Sequence, residues 1–446
     1  MKSFLRICVV PNTLETRFLG ENGFLKIMKI NSRIILFDNL QQAKGELAKL
    51  TCAKSEIQRL NPTQPDLDLI ARRSIHRVLK LESVNDIDAN ILQREMRLIG
   101  GEAVIGKNVA NDDGAFDIII MGTLNQFDLL LEKLKTHPNL STATSEDRQR
   151  FISSIQTALY NFDNTVERAM ECRGRRLTFG KRTLIIGVLN VTPDSFSDGG
   201  LYDDADTAVK RAKEMVAQGA DIIDIGGESS RPGSDPVPVD EELRRVLPVI
   251  ERLANESDVI ISIDTYKSTV AEHALKSGAH IVNDISALNF DPNMGNVVAN
   301  AGAPVVLMHI QGTPKNMQIS PQYHALISEI ISYLRDSIEK AEAAGVSAEK
   351  IIIDPGIGFG KTVEHNLEII RRLKEFRCLG KPILIGASRK SFIGKILDLP
   401  VEDRIEGTIA TVVSSIINGA DIVRVHDIKQ VQRAVKMVDA IRISGV

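Results

Sequence analysis

Cysteine is scarce in this sequence and nowhere clustered: Cys8, Cys52, Cys172 and Cys378 are the only four among 446 residues. No CxxC pair occurs, so neither a zinc site nor a disulfide framework is expected, and the chain suits a reducing compartment. Long apolar runs are also missing. None approaches the ~20 residues needed to span a bilayer. The amino terminus does not read as a signal peptide either, because its apolar stretch is broken by Arg6 and stops at Pro11 without a small-residue cleavage site. The expected location is therefore cytoplasmic, with no membrane partner. Nor does one sign of charge dominate. Lys and Arg number 55 against 58 Asp and Glu, a formal net charge of -3, which argues against a general nucleic-acid binder and leaves room for a local basic pocket.

What is present is an ordinary globular composition in a chain too long for one average domain. From Thr183 onward, short runs rich in Ile and Val alternate with amphipathic stretches. The runs are Leu184–Leu189, Asp221–Ile225, Val259–Ile263, His280–Val282, Pro304–Met308, Ile351–Ile353, Pro382–Ile385 and Asp421–Val425. Each is nearly continuous, as strands buried on both faces should be. Helical spacing covers 205–218, 267–276, 327–344 and 405–418, and each of these stretches runs into Gly219, Gly278, Gly345 or Gly419 as a stop. Eight strand–helix units in this length are the arithmetic of an α/β (β/α)8 TIM barrel over residues 180–446. A doubly wound open sheet is the alternative.

Residues 1–175 read as a small mixed α/β domain of unassigned role. Strands are predicted at Arg33–Phe37, Glu102–Ile105 and Phe116–Met121, with an apolar stretch at Val78–Leu81. Helices are predicted at Leu40–Leu50, Ala89–Leu98, Gln126–Leu134 and 146–160. Residues 137–148 are polar and read as a linker. The basic run 171–182 leads into the first barrel strand. Met28 offers an alternative start.

Barrel chemistry sits at the C-terminal ends of strands, and those ends carry Asn190, Gly226-Gly-Glu-Ser-Ser-Arg231, Asp264, Asn283-Asp284, Met308-His309, Asp354, Ser388-Arg389-Lys390 and Arg424-Val-His426. Singly, each has a bland explanation. Asn190 can cap a turn, Asp264 can cap the next helix, Asp354-Pro-Gly is a good turn, and Arg389-Lys390 can be a solvated pair. Jointly they imply ligands, since buried charges left unpaired cost several kcal/mol. Asp264, Asn283, Asp354 and Lys390 mix donors and acceptors as a flat heterocycle requires. Arg424 and His426, at the start of the last helix, suit an anion. The Gly-bounded loops after the first two strands have the character of mobile loops that close over a substrate.

The run Asn190-Val-Thr-Pro-Asp-Ser-Phe-Ser-Asp-Gly-Gly closely resembles the first signature of dihydropteroate synthases. Gly226-Gly-Glu-Ser-Ser-Arg-Pro-Gly is similar to their second loop. The blocks beginning Ser262-Ile-Asp, Asn283-Asp-Ile-Ser, Leu307-Met-His, Asp354-Pro-Gly-Ile-Gly-Phe-Gly, Gly386-Ala-Ser-Arg-Lys-Ser and Arg424-Val-His-Asp follow in the family's order. The resemblance spans the whole barrel. It implies condensation of a dihydropterin methyl diphosphate with 4-aminobenzoate, without a covalent protein nucleophile. It implies that Asp264, Asn283, Asp354 and Lys390 hold the pterin, with Met308 and Phe359 packed nearby. Asn190 would coordinate Mg2+, and Arg424 and His426 the diphosphate. Phe196, Ser230, Arg231, Pro232, Lys390 and Ser391 would shape the aminobenzoate pocket, and Asp198 would meet Arg231 when the loops close. The catalytic set implied is Asn190, Asp198, Arg231, Lys390, Arg424 and His426. A homodimer is implied in the same way. One position departs: Ser230 stands where the family usually has Thr, which keeps the hydroxyl and removes a methyl worth up to ~1 kcal/mol of packing.

Two rivals remain at this point. A methyltetrahydrofolate-dependent corrinoid methyltransferase also holds a pterin in a barrel, but needs neither the Asn190 block nor Arg424-Val-His426. An inactive pterin-binding scaffold is expected to lose rim residues, and here they stand. No phosphate-binding glycine loop marks residues 1–182 as a fused pterin kinase.

Overall fold

The computed structural model describes residues 15–19, 25–29, 64–106, 115–140, 145–163, 167–191 and 201–443. The chain divides into two units, 1–141 and 142–446. In the first, β1 (Glu15–Leu19) and β2 (Leu25–Lys29) pair as an antiparallel hairpin. Then come α1 (Gln64–Ser74), β3 (His76–Asn85), α2 (Asp86–Leu98), β4 (Glu102–Ile105), β5 (Ala115–Thr123) and α3 (Leu124–Thr136). Strand β5 lies between β3 and β4, antiparallel to both. Period-two alternation sends Ile118 and Ile120 into the core with Ala103, where Leu92, Met96, Phe127, Leu130 and Leu134 from the helices cover them. Capping fixes where the helices begin. Asn85 accepts from Asp88 N (2.9 Å) at α2, and Thr123 with Gln126 forms a capping box at α3. The elements expected near 78–81, 89–98, 102–105, 116–121 and 126–134 are present. Those expected at Arg33–Phe37 and Leu40–Leu50 lie outside the described residues.

The second unit opens with α4 (Ser145–Asp163) and a hairpin, β6 (Arg168–Cys172) and β7 (Arg175–Phe179). Eight parallel strands follow: β8 (Leu184–Asn190), β9 (Ile222–Gly226), β10 (Ile260–Asp264), β11 (Ile281–Asp284), β12 (Val305–Met308), β13 (Ile351–Asp354), β14 (Leu384–Ile385) and β15 (Ile422–Val425). Their order is sequential, with β15 between β14 and β8, and a parallel bridge from Ile353 to Ile383 closes the ring. The helices between and after them are α5 (Leu201–Ala217), α6 (Val239–Glu256), α7 (Ser268–Lys276), α8 (Met294–Ala301), α9 (Leu326–Ala343), α10 (Val363–Arg371), α11 (Ser391–Leu397), α12 (Ile405–Ile417) and α13 (Ile428–Ile443). The TIM barrel is therefore observed, and the open-sheet alternative is not.

The domain boundary differs from the one expected near residue 175. The hairpin belongs to the barrel, because Met170, Cys172, Leu177 and Phe179 form one apolar cluster with a residue from each of the eight strands, among them Leu184, Ile222, Ile260 and Ile422. It plugs the end of the barrel where the strands begin. Its two-residue turn, Arg173-Gly174, has positive φ at both positions (51° and 88°), the geometry that suits a tight hairpin. Arg173 then donates to Leu275 O (2.6 Å) and Ala279 O, fastening the turn to the barrel wall. A chain lacking residues 1–141 is expected to keep the barrel's thermal stability. Removal of 1–175 takes β6 away and opens the plug, costing about 2–5 kcal/mol for each large side chain lost; differential scanning calorimetry of the two truncations distinguishes them.

Candidate active site

At the opposite end of the barrel the strands deliver their polar residues to one bowl. Its floor is Arg424, on β15. Arg424 Nε donates to Asp224 Oδ2 and Nη2 to Asp264 Oδ2, each at 2.6 Å, while Asn283 Nδ2 donates to the same Asp224 oxygen at 3.0 Å. Asp224 is fully buried, and its Oδ1 has no hydrogen-bond partner. Burial works against the Arg424 charge, but the Asp224 and Asp264 carboxylates outweigh it and raise its pKa, so the guanidinium is permanently charged. Nη1 makes no hydrogen bond among the described residues, which leaves one edge of the fork for a ligand. Asn190, ending β8, faces Asp264 across Gly226: a Cβ at Gly226 would lie 3.5 Å from Asp264 Cβ and 3.9 Å from Asn190 Oδ1. Burial, beside the Asp224 and Glu242 charges, raises the Asp264 carboxyl, and Arg424 pulls it back down.

The wall comes from β12, β13 and β14. Asp354 is buried, and its Oδ1 accepts from Gly356 N at 2.7 Å. Desolvation pushes its pKa up to about 6, against that hydrogen bond and the charges of Lys390, Lys361 and Arg424. Lys390 stands with Nζ 4.1 Å from the centre of the Phe359 ring, a cation–π contact. Burial and Arg424 bring its pKa down to about 8, while Asp354 and Asp264 act the other way. Lys390 is aimed by the preceding residue: Arg389 adopts φ 56°, a left-handed conformation uncommon for a side chain of its size. That conformation is held from three sides, by Thr408 Oγ1 on its N–H (3.1 Å), Arg404 on its carbonyl (3.1 Å) and a bidentate pair with Asp427 (2.8 and 2.6 Å). Arg389 is thus a structural ion pair and Lys390 the residue that faces the bowl. Met308 and Phe359 share an apolar cluster with Ile285, Ile310 and Met317.

His426 follows β15 just before α13. Ser388 Oγ accepts from His426 N (3.3 Å) and lies 3.0 Å from Nδ1. Accepting once, the hydroxyl is free to donate to Nδ1, which places the ring proton on Nε2. Burial and Arg424 lower the His426 pKa to about 4, so the ring is neutral at pH 7. The loop after β9 is anchored at its base, where Lys267 Nζ bonds Glu228 Oε2 (2.6 Å), Val237 O (2.6 Å) and Glu242. Its tip, with Arg231 and Pro232, is exposed, and Ser230 is half-buried. Gly233 N donates to Pro314 O (3.0 Å), joining that tip to the loop after β12. Ser391 is exposed as the first residue of α11. Phe196 and Asp198 lie outside the described residues.

Two residues that reading the sequence passed over belong to this site. Asp224 was hidden inside an Ile-rich run, and an Asp between buried isoleucines is the signal that could have found it. Lys361 is buried; its Nζ donates to His309 Nδ1 and Phe359 O, both at 2.9 Å. Desolvation brings Lys361 down to about 7 and His309 well below the usual histidine range. Lys361 therefore ties the end of β12 to the loop that carries Phe359.

The titrations set an expected pH profile. Capturing a ligand N–H edge needs ionised Asp354, and activity falls as pH drops through about 6. Lys390 must stay charged, and activity falls as pH rises through about 8. A bell-shaped kcat/KM is expected for the ligand that fills the bowl, measured by steady-state kinetics; a profile flat from pH 5 to 9 contradicts these roles.

The comparisons with known proteins agree with this geometry. Residues 186–426 match the family described as pterin binding enzyme. The dihydropteroate synthase of Bacillus subtilis (strain 168) is 52% identical over 269 residues, 60% of this chain and 92% of that protein. A solved dihydropteroate synthase from Xanthomonas albilineans in complex with 7,8-dihydropteroate is 38% identical, with TM-score 0.57, over 62% of this chain and 99% of that one. A probable bifunctional folylpolyglutamate synthase/dihydropteroate synthase of Halobacterium salinarum is 40% identical over 404 residues, 90% of this chain and 47% of that protein. That similarity is longer than the barrel and so extends into the N-terminal half. The strand-end bowl, the family match and these relatives converge: the chain belongs to the dihydropteroate synthase family of pterin-binding enzymes, which condense (7,8-dihydropterin-6-yl)methyl diphosphate with 4-aminobenzoate to give 7,8-dihydropteroate and diphosphate.

Proposed function

We propose that this bowl divides the condensation among its residues as follows, an assignment carried by Arg424, shared between Asp224 and Asp264 with one edge of its fork left open. Asp354 accepts the paired N–H groups of the pterin edge, Asn283 and Asp264 bond its other polar atoms, and Met308, Phe359 and the Lys390 cation enclose its ring. Arg424 Nη1 and the Nε2–H of His426 hold oxygens of the diphosphate beside the start of α13. As the exocyclic C–O bond breaks, its electron pair leaves with the diphosphate. The aminobenzoate nitrogen forms the new C–N bond and releases a proton. Ser230, Arg231, Pro232, Lys390 and Ser391 line the approach of that amine. The chain's own contribution is fixed charge and orientation, with no covalent intermediate.

Magnesium fits this donor set as a ligand of the substrate more than of the protein. Among the described residues no group of three or more His, Cys, Asp or Glu side chains is placed to hold a metal, and Mg2+ commonly binds through few protein oxygens plus phosphates. Asn190 Oδ1 is the protein oxygen we assign to it. When bound, the ion neutralises charge on the departing diphosphate.

The test is diphosphate release from the purified full chain with Mg2+, the pterin diphosphate and 4-aminobenzoate, each omitted in turn. Release is expected to need Mg2+, and dihydropteroate to need all three; product formed at full rate in excess chelator overturns the metal assignment. No helix among the described residues is long and apolar enough to cross a membrane, and a cytoplasmic, homodimeric enzyme is the reading we adopt. Ile396, Leu397 and Val401, exposed on α11 and the turn after it, support a dimer face. For residues 1–141 we adopt an interaction or oligomerisation role, supported by Val78, Val104 and Ile119 exposed on its sheet. Light scattering of the full chain and of a chain lacking 1–141 checks both: a monomer in each case contradicts the dimer, and identical assemblies remove the oligomerisation role.

A further inference from the structure

We propose that the lower end of the barrel, opposite the bowl, carries a second anion site that takes one compact tetrahedral oxyanion of the phosphate class between Arg168, Arg377 and Arg442. A cavity of about 90 Å3 lies there, lined by these three arginines with Asn161, Lys381 and Asp421. Six separate segments bring these residues together: α4, β6, the turn after α10, the stretch entering β14, the stretch entering β15, and the end of α13.

The cavity holds more positive charge than it neutralises. Lys381 is satisfied, by Glu342 (3.1 Å) and Ala348 O (2.8 Å). Arg442 reaches Asp439 only at 3.5 Å, and Asp439 already accepts from Thr183 N (2.8 Å) and Thr183 Oγ1 (2.9 Å). Arg168 donates to Gly380 O but forms no ion pair among the described residues. The Arg377 guanidinium makes neither a hydrogen bond nor an ion pair among the described residues, although its carbonyl accepts from Gly380 N (2.9 Å). Asp421 lines the same cavity, but among the described residues it forms no ion pair with any of the three arginines, and one of its oxygens accepts from Ile383 N (2.9 Å). Three guanidiniums beside two carboxylates, Asp421 and Asp439, leave an excess of cation. Burial and the charges of Arg442 and Arg168 hold the Arg377 pKa below its ordinary value, with Asp421 opposing. A group so placed is stabilised by an added anion.

The backbone makes room for this arrangement. A Cβ at Gly419 would come within 2.9 Å of Arg377 Nε, and one at Gly380, where φ is 68°, within 2.5 Å of Asn161. Glycine at 419 lets the Arg377 guanidinium pack against the backbone, and glycine at 380 leaves the same room for Asn161. Guanidinium forks from three directions match a tetrahedral oxyanion better than a planar carboxylate, which one fork already saturates. The site is separate from the diphosphate position: Asp421 precedes β15 and Arg424 and His426 stand at its far end, roughly 10–15 Å along the strand.

The test uses the full chain and inorganic phosphate. Crystals soaked in selenate, read by anomalous diffraction, are expected to show a peak between Arg168, Arg377 and Arg442 in addition to any in the bowl. Calorimetric titration with phosphate is expected to lose one class of sites in Arg377→Met, and to show it weakened about tenfold in Arg377→Lys, which keeps the charge and loses the fork. Turnover at low phosphate is expected to be unchanged in both. No peak at the three arginines, or phosphate binding identical in wild type and Arg377→Met, overturns the proposal. Arg377→Lys keeps the test valid if the methionine variant does not fold.

Discussion

Arg424→Met is expected to be the most damaging single change in the barrel. Among the described residues Arg424 is the only counter-charge hydrogen-bonded to both Asp224 and Asp264, whose side chains are 0% and 14% exposed. Removing it strands two buried carboxylates, an event that costs about 3–5 kcal/mol, a large part of a domain's usual net stability. The sign of its pH dependence follows. Burial holds the folded pKa of Asp264 above its ordinary value, and losing Arg424 removes the cation that opposes this, so the penalty is full at pH 8 and fades as that carboxyl protonates at lower pH. Thermal unfolding should therefore show the deficit against wild type shrinking from pH 8 to pH 5. Removing one stranded charge, in Arg424→Met with Asp224→Asn, should restore part of it. Activity should not return, because the diphosphate oxygens lose their cation, a loss of about 100- to 1,000-fold in kcat for one donor of this kind. A double variant that recovers turnover contradicts the assignment of Arg424 to the leaving group.

Asp354→Asn should behave in the opposite way in stability and the same way in activity. The amide keeps the shape and can keep the bond from Gly356 N. It also removes a buried charge whose pKa is pushed up to about 6. At pH 8 the variant should be more stable than wild type, by on the order of 1–3 kcal/mol, and the gain should vanish by pH 4, where the wild-type carboxyl is itself neutral. The kcat/KM for the pterin diphosphate should fall about 1,000-fold, since two charge-assisted hydrogen bonds worth ~1.5–3 kcal/mol each are replaced by an amide that offers one donor to a donor. KM for 4-aminobenzoate should move little. A protein more stable and less active after one isosteric change is the signature of a functional buried charge rather than a structural one.

The barrel was legible because its strands are buried on both faces and read as unbroken Ile/Val runs, so the eight runs from Leu184 to Val425 fall where the eight strands stand. The rim was legible because strand ends are where a barrel can place polar groups, and Asp264, Asn283, Asp354, Lys390, Arg424 and His426 all sit there. What was hidden has local causes. In β6 and β7 the inward residues Met170, Cys172, Leu177 and Phe179 alternate with arginines and other exposed residues, so a period of two was masked by basic composition and the domain boundary was drawn too late. Asp224 shares its strand with four apolar or small neighbours, and only the three-dimensional approach of Arg424, 200 residues away in sequence, shows what it does. Lys361 follows a glycine in a loop with no periodicity, and its partner His309 stands just past the end of β12, 52 residues earlier, a pairing no spacing rule encodes.

The central claim is that the pterin is captured by an ionised, buried Asp354, and the most direct measurement is the equilibrium dissociation constant of a pterin ligand for wild type and Asp354→Asn at pH 7 and pH 5. With a pKa of about 6, the wild-type affinity should weaken about tenfold between the two. The variant should be weak at both and lose the tenfold change due to Asp354, keeping only the part that comes from Asp264, which burial also raises. Wild-type affinity independent of pH, or a variant that follows the same pH dependence as wild type, would contradict it.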